Sequence, residues 1–333
     1  MGTLRQDPTT NAWVILAPER ASRRALPSPT RTPAPALDPG CPFCPGNEHL
    51  TPPEVARFPA AGDWEQRVVP NRFPALVPGG STERNGDRMV REMEGLGGHE
   101  VVVESPVHDE RLDEMSVQRL SNVLATWRDR YRVLAREPWA KAVLVFKNFG
   151  ERAGTSLEHP HSQILATPVV PPDALHQYAV ATRYYDDTGH CVYLDVLARE
   201  VEDRARLVAE RGRFAAVVPF AGRLPFETWI APRVLQPSFG DLRDEDLADL
   251  AELLRDVVGA LRRSAGDPDY NLVVQSAPIG QELAPVFLWH VRLLPRLVTE
   301  AGFELGSGMS INTVAPESAA EALRAALAVV PAP

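Results

Sequence analysis

A chain of 333 residues with 44% apolar content can bury a large core, and its length points to two domains or one duplicated unit. The net charge of -9 and pI near 5.5 argue against nucleic acid or an anionic membrane as partner, since both need clustered Lys and Arg; small anionic substrates stay open wherever basic residues gather locally. No apolar run approaches the roughly 18 residues of a membrane span and the N-terminus has no signal-peptide apolar core, so a cytoplasmic protein is expected.

In chain order, a turn at Pro8-Thr9-Thr10-Asn11 leads into a strand at Trp13-Val14-Ile15-Leu16. Arg20, Arg23 and Arg24 follow, either as a solvated exit loop or as an anion clamp. Residues 25–40 are rich in Pro, Ser and Thr and read as an extended loop. Cys41-Pro42-Phe43-Cys44 comes next. A tight Cys-x-x-Cys knuckle can hold two thiolates on one tetrahedral metal, with the other ligands drawn from His, Asp or Glu; a redox pair or two buried thiols are the alternatives. Three cysteines cannot form a fully paired disulfide framework. A redox pair normally opens a helix, and Pro45-Gly46-Asn47 starts one poorly.

Strands are expected from Arg67 and from His99, the latter ending near His108. From Ser116 to Arg136, Val117, Leu120, Val123, Leu124, Trp127, Tyr131 and Leu134 recur at spacings of three and four, a helical period with Ser116 as N-cap. The apolar run 142–148 predicts a buried strand. A glycine-containing loop then leads to His159-Pro160-His161-Ser162-Gln163 and a second apolar run. A strand starting at His159 would put His159, His161 and Gln163 on one face, because side chains alternate; two surface loop histidines are the plainer reading.

The later half repeats the order. Phe214-Ala215-Ala216-Val217 echoes Arg67-Val68-Val69, and Phe226 to Pro232 echoes the strand at His99. A helical stretch follows from Leu242 to Leu261, then strands at Tyr270-Gln275 and Leu288-Pro295, with His290 in the place of His161. An internal duplication accounts for the length: residues 1–172 and 173–333, each an antiparallel sheet with a long helix packed on it, together an α+β protein.

Five motifs in order carry a family likeness: Cys41 to Glu48, Pro70-Asn71-Arg72-Phe73-Pro74-Ala75, His99-Glu100-Val101 through His108, His159 to Gln163, and Gly302 to Gly308. On these the chain resembles the galactose-1-phosphate uridylyltransferase branch of the histidine triad superfamily, which includes nucleoside-diphosphate-sugar phosphorylases. The resemblance implies one structural Zn2+ on Cys41, Cys44, His108 and His159, with His161 as a nucleophile that carries the nucleotidyl group. It implies that Gln163 donates to a phosphate oxygen, with Asn148, Thr155 and Ser156 completing the cradle. It also implies that Arg20 and Arg23 contact phosphate, that Asn71, Arg72 and Phe73 hold base and ribose, and that Glu304 reads the sugar from the partner subunit of a homodimer.

The implied chemistry is double displacement: a nucleotide sugar gives its nucleotidyl group to His161, and a sugar 1-phosphate or inorganic phosphate takes it off. UMP transfer from UDP-glucose to a hexose 1-phosphate is the first reading. A phosphorylase using inorganic phosphate is the second, and a zinc-stabilised nucleotide-binding module without turnover the third. Ser162, where the best-known transferases carry glycine, resembles the phosphorylase-like subgroup. Cys191 is followed by Leu194 and His290 by no second histidine in place, so no second metal is expected and His290 reads as a buried residue.

Overall fold

The periodic apolar positions Leu120, Val123, Leu124, Trp127, Tyr131 and Leu134 form the buried face of helix α1 (Val117–Ala135), whose N-cap Ser116 accepts a hydrogen bond from the Arg119 N–H at 3.1 Å. The computed structural model describes residues 2–21, 31 and 34–329. Before α1 the chain forms β1 (Thr3–Gln6), β2 (Trp13–Leu16), β3 (Ala56–Phe58), β4 (Gln66–Pro70), β5 (Asn85–Gly86), β6 (Arg91–Glu92) and β7 (Gly98–Val103). After it come β8 (Ala142–Phe149), β9 (His161–Thr167), helices α2 (Pro172–Thr188) and α3 (Val192–Asp203), then β10 (Leu207–Arg211), β11 (Phe214–Val217) and β12 (Thr228–Pro232). Helix α4 (Leu247–Ala265), β13 (Tyr270–Gln275), β14 (His290–Pro295), α5 (Gly302–Ser307), β15 (Ser310–Asn312) and α6 (Pro316–Ala328) complete it.

Ten strands form one antiparallel sheet in the order β10-β11-β12-β14-β13-β8-β9-β7-β4-β3. The order is a mirror about its centre, where β8 pairs with β13 through Phe149↔Tyr270 and Val145↔Val274. Two expected sheets are thus joined edge to edge, which leaves fewer exposed strand edges. β1, β2 and β15 make a small separate sheet.

The sheet's faces differ. Alternate residues such as Val102, Val145, Ile164, Ala216 and Val291 point to α1 and α4, which pack against each other over the main core with Trp127, Leu254 and Trp289. The other set faces away. In the C-terminal half Ala215 and Val217 meet α3, and in the N-terminal half Val101 and Val103 meet Cys41, Phe43 and Cys44. Helices α2, α3 and α6 were not anticipated. The apolar stripe of α2 is thin: only Gln177 and Ala181 of its residues are buried.

Candidate active site

β9 starts at His161, not His159, so His159 precedes the strand and the two histidines are not strand neighbours. The strand lies between β7 and β8, with Val103↔His161 on one side and Phe146↔Gln163 on the other. The His161 ring is buried, and its Nδ1 lies 2.8 Å from the His159 carbonyl oxygen. A carbonyl only accepts, so Nδ1 carries the proton and Nε2 the lone pair. Burial pushes the His161 pKa down, and the Lys147 cation adds to the effect; the ring is neutral near pH 7.

A cavity of about 780 Å³ opens beside His161, lined by Asn148, Gly150, Thr155, Ser156 and Lys147. Arg31, Arg111, Arg152 and Arg262 also line it, interleaved with the carboxylates of Asp109, Glu110, Glu114, Glu151, Glu158 and Asp269; Arg31 and Arg111 pair with Asp267, and Arg262 with Asp113 and Glu114. The loop from Gly150 is tied down from β13. Asp269 accepts from the Arg152 N–H (2.7 Å), and Asn271 donates to Asn148 Oδ1 (2.8 Å) and to the Ala153 carbonyl (2.9 Å). Gly150 has φ +87°, and a Cβ there would meet the Asp269 carboxylate at 2.1 Å, so only glycine fits. The Thr155 hydroxyl donates to the Asn148 carbonyl (2.7 Å), closing the loop on itself, whereas Ser156 is left lining the cavity.

Gln163 sits in a network that leaves it a defined donor. The Ala75 N–H donates to His99 Nδ1 (3.1 Å), so the His99 proton is on Nε2 and goes to Gln163 Oε1 at 2.8 Å. Asn71 reaches the same oxygen at 3.4 Å. With its oxygen occupied, Gln163 keeps its NH2 for a ligand.

Behind His161 lie Cys41, Cys44, His108 and His159, all buried, with their potential ligand atoms within 4.8 Å of one another. Cys44 Sγ is 3.4 Å from His108 Nδ1 and 3.6 Å from His159 Nδ1. The His159 Nε2–H donates to the Ser105 carbonyl at 2.7 Å, which turns the Nδ1 lone pair toward the thiols. The N–H groups of Asp38 and Phe43 point at Cys44 and Cys41 sulfur (3.3 and 3.4 Å). Burial raises the Cys41 thiol pKa, a penalty that a bound cation reverses. The four residues could hold a metal ion, and they are the one such group among the described residues.

Other expected residues lie elsewhere in the single chain. Arg20 is exposed and does not line the cavity, and Arg23 lies outside the described residues. Phe73 is 83% exposed, with the Arg72 guanidinium 5.7 Å from its ring centroid. Glu304 is buried; its Oε2 accepts from the Ala301 N–H (3.1 Å) at the start of α5. His99, Glu104 and Lys147 were missed as site residues. His99 stood inside a quoted motif, but nothing in a strand's sequence says which loop amide its ring will meet.

Known proteins resemble this chain along its length. Residues 2–171 match the family model described as galactose-1-phosphate uridyl transferase, N-terminal domain. The chain is 34% identical to ADP-glucose phosphorylase of Arabidopsis thaliana, over 96% of this chain and 92% of that protein. It is 30% identical to galactose-1-phosphate uridylyltransferase of Thermotoga maritima, over 97% and 98%. This chain belongs to the galactose-1-phosphate uridylyltransferase family. Among solved structures, an ADP-glucose phosphorylase from Arabidopsis thaliana with bound ADP-glucose superposes with a TM-score of 0.84, covering 97% of this chain and 98% of that one. A uridylyltransferase structure, 30% identical, gives 0.77 over 98% and 99%.

Two features of this family member follow from packing. The Ser162 hydroxyl accepts from Trp127 Nε1 at 2.6 Å and is buried on the helix side of the sheet. Strand alternation turns it away from His161, so Ser162 cannot read an acceptor by touching it.

His290 has the same bond as His161, with Nδ1 3.0 Å from the Leu288 carbonyl. Its ring packs against both Trp229 and Tyr193, at centroid distances of 4.8 and 5.3 Å. Burial holds its pKa at about 4. The unfolded chain therefore binds a proton near pH 6.5 that the folded one refuses, and stability falls as pH drops from about 6.5 to about 4. Chemical denaturation should show the protein losing about 3 kcal/mol more than its His290→Phe variant across that window. Parallel pH profiles for the two would remove this role from His290.

Proposed function

We propose that the protein is a nucleotidyltransferase that moves a nucleotidyl group from a nucleoside-diphosphate sugar to an acceptor phosphate through a covalent nucleotidyl-His161, with UMP passing from UDP-glucose to a hexose 1-phosphate as the leading reading. The observation that carries it is the 2.8 Å bond from His161 Nδ1 to its own chain's His159 carbonyl, which leaves a neutral ring with its Nε2 lone pair free. Nε2 forms a bond to the α-phosphorus as the bond to the sugar 1-phosphate oxygen breaks, and that group leaves with the electron pair. The acceptor phosphate oxygen then attacks, the P–N bond breaks, and neutral His161 returns. No proton need move at Nδ1. Charge spread over the phosphate oxygens is met by the Gln163 NH2 and by Ser156 and Asn148 on the cavity wall.

The likeness to an ADP-glucose phosphorylase at 34% identity supports a second reading, in which inorganic phosphate is the acceptor. Incubating labelled UDP-glucose and ADP-glucose with hexose 1-phosphate or phosphate separates them. Hexose exchange supports the first, and phosphate-dependent release of UDP or ADP the second. No label on the protein from any nucleotide sugar would remove both.

In this reading the four-residue cluster holds zinc. Zinc bonds of about 2.3 Å to sulfur and 2.05 Å to nitrogen at a tetrahedral angle put S and N about 3.6 Å apart, close to the 3.4 and 3.6 Å found. With four protein ligands such a site is closed and structural, and takes no part in the chemistry. Residues 1–172 would then carry metal and nucleophile, with 173–333 as the sister unit. A homodimer would let the Gly302–Ser307 segment and Arg20 of one subunit reach the other's cavity.

A further inference from the structure

A buried ion pair sits directly under the proposed nucleophile, and neither the fold nor the metal cluster explains it. Lys147, at the end of β8, is 3% exposed; its Nζ is 2.6 Å from Glu104 Oε2 and 3.2 Å from the His161 carbonyl oxygen. Glu104, just past β7, is 1% exposed, and its N–H donates to the Pro160 carbonyl at 3.1 Å. Residues 160 and 161 are therefore gripped from both flanking strands. Two charges taken this far out of water gain little net stability over an apolar pair of the same volume.

The sister half supplies the control within one molecule. β8 and β9 pair through Phe146↔Gln163, so Lys147 lies one step on, opposite Ser162; in β13 and β14 the matching pair is Val274↔Val291. β7 and β9 pair through Val103↔His161, so Glu104 lies opposite Pro160; one and two steps past Ile230↔Val291 in β12, Ala231 and Pro232 fall opposite His290 and Trp289. The same register relates His99 and Gln163 to Glu227 and Arg292, each pair bonded at 2.8 Å. Thus the two halves share the buried histidine and its bond to the carbonyl two residues earlier. They differ where one has Lys and Glu and the other has buried Val274 and Pro232. The Lys–Glu pair sits in the half whose histidine lines the cavity of about 780 Å³, whereas His290 lines a smaller one of about 300 Å³ together with the Glu227–Arg292 pair.

We propose that Lys147, held by Glu104, is a positioning residue that fixes the His161 backbone so that Nε2 meets the α-phosphorus in line. This rests on His161 being the nucleophile. Misplacing a reacting atom by an ångström can cost on the order of 100-fold in rate without weakening binding.

The test measures single-turnover labelling of His161 by a radiolabelled nucleotide sugar, with KM and melting temperature, for the full chain. Lys147→Met should slow labelling about 100-fold with KM changed less than about threefold, and Lys147→Arg should restore part of the rate. The double variant Lys147→Met/Glu104→Leu removes both charges, so it should melt near the wild type and yet stay slow. A double variant that labels at the wild-type rate overturns the proposal, as does a single variant whose defect is in KM alone. Absence of label on wild-type His161 is visible before any variant is made; it overturns the nucleophile assignment and this role with it.

Discussion

His161→Asn should lose turnover by about four orders of magnitude or more and retain no label from any nucleotide sugar, while its melting temperature stays near the wild-type value. An amide nitrogen can still donate to the His159 carbonyl in place of Nδ1, so the local fold keeps its anchor. What is lost is the lone pair on Nε2, and among the described residues no other side chain on the cavity wall offers a neutral nitrogen nucleophile near pH 7. Lys147 is engaged with Glu104, and His159 turns its ring nitrogens to Cys44 and the Ser105 carbonyl. The measurement is intact mass of the acid-quenched protein together with steady-state exchange. An Asn variant with unchanged activity would leave only a direct displacement that never touches this histidine.

Cys44→Ala is expected to have the largest effect on stability. Cys44 Sγ lies near both His108 and His159, so its removal leaves the remaining ligands one short and three buried polar groups without their partner. A closed metal site contributes folding energy outright, and its loss should lower stability by several kcal/mol. Activity should fall too. The His159 side chain belongs to the cluster and its backbone carbonyl holds the His161 ring, so loosening one loosens the other. Elemental analysis of the purified protein and a melting curve with and without a strong chelator provide the check. No zinc in the wild type and an unaltered melting curve in the variant would dismiss the site.

Much of this was legible in the chain. The three-and-four spacing from Val117 to Leu134 placed α1 to within a residue at each end, because a helix packed on a sheet must bury one stripe. The strands at Trp13, Ala142 and Tyr270 were equally plain from their β-branched runs. The metal-ligand set was drawn from a family likeness, and its four residues do meet in space. The start of β9 was misread by two residues: Pro160 cannot donate to a ladder, so the pairing with β7 begins only at His161. Ser162 was read as a likeness to the phosphorylase-like subgroup; its bond to Trp127 shows that it faces the helix and does not touch the acceptor.

The sequence by itself determined the family, the α+β alternation, the paired histidines and the repeat of element order, since these depend on local spacing and on motifs short enough to read. Only the tertiary structure decided which nitrogen of His161 is free, that Gln163 keeps its donor end, and that Lys147 and Glu104 meet 43 positions apart under His161. Those are contacts between strands far apart in the chain. Their partners are set by register across the ten-stranded sheet, which no local pattern encodes.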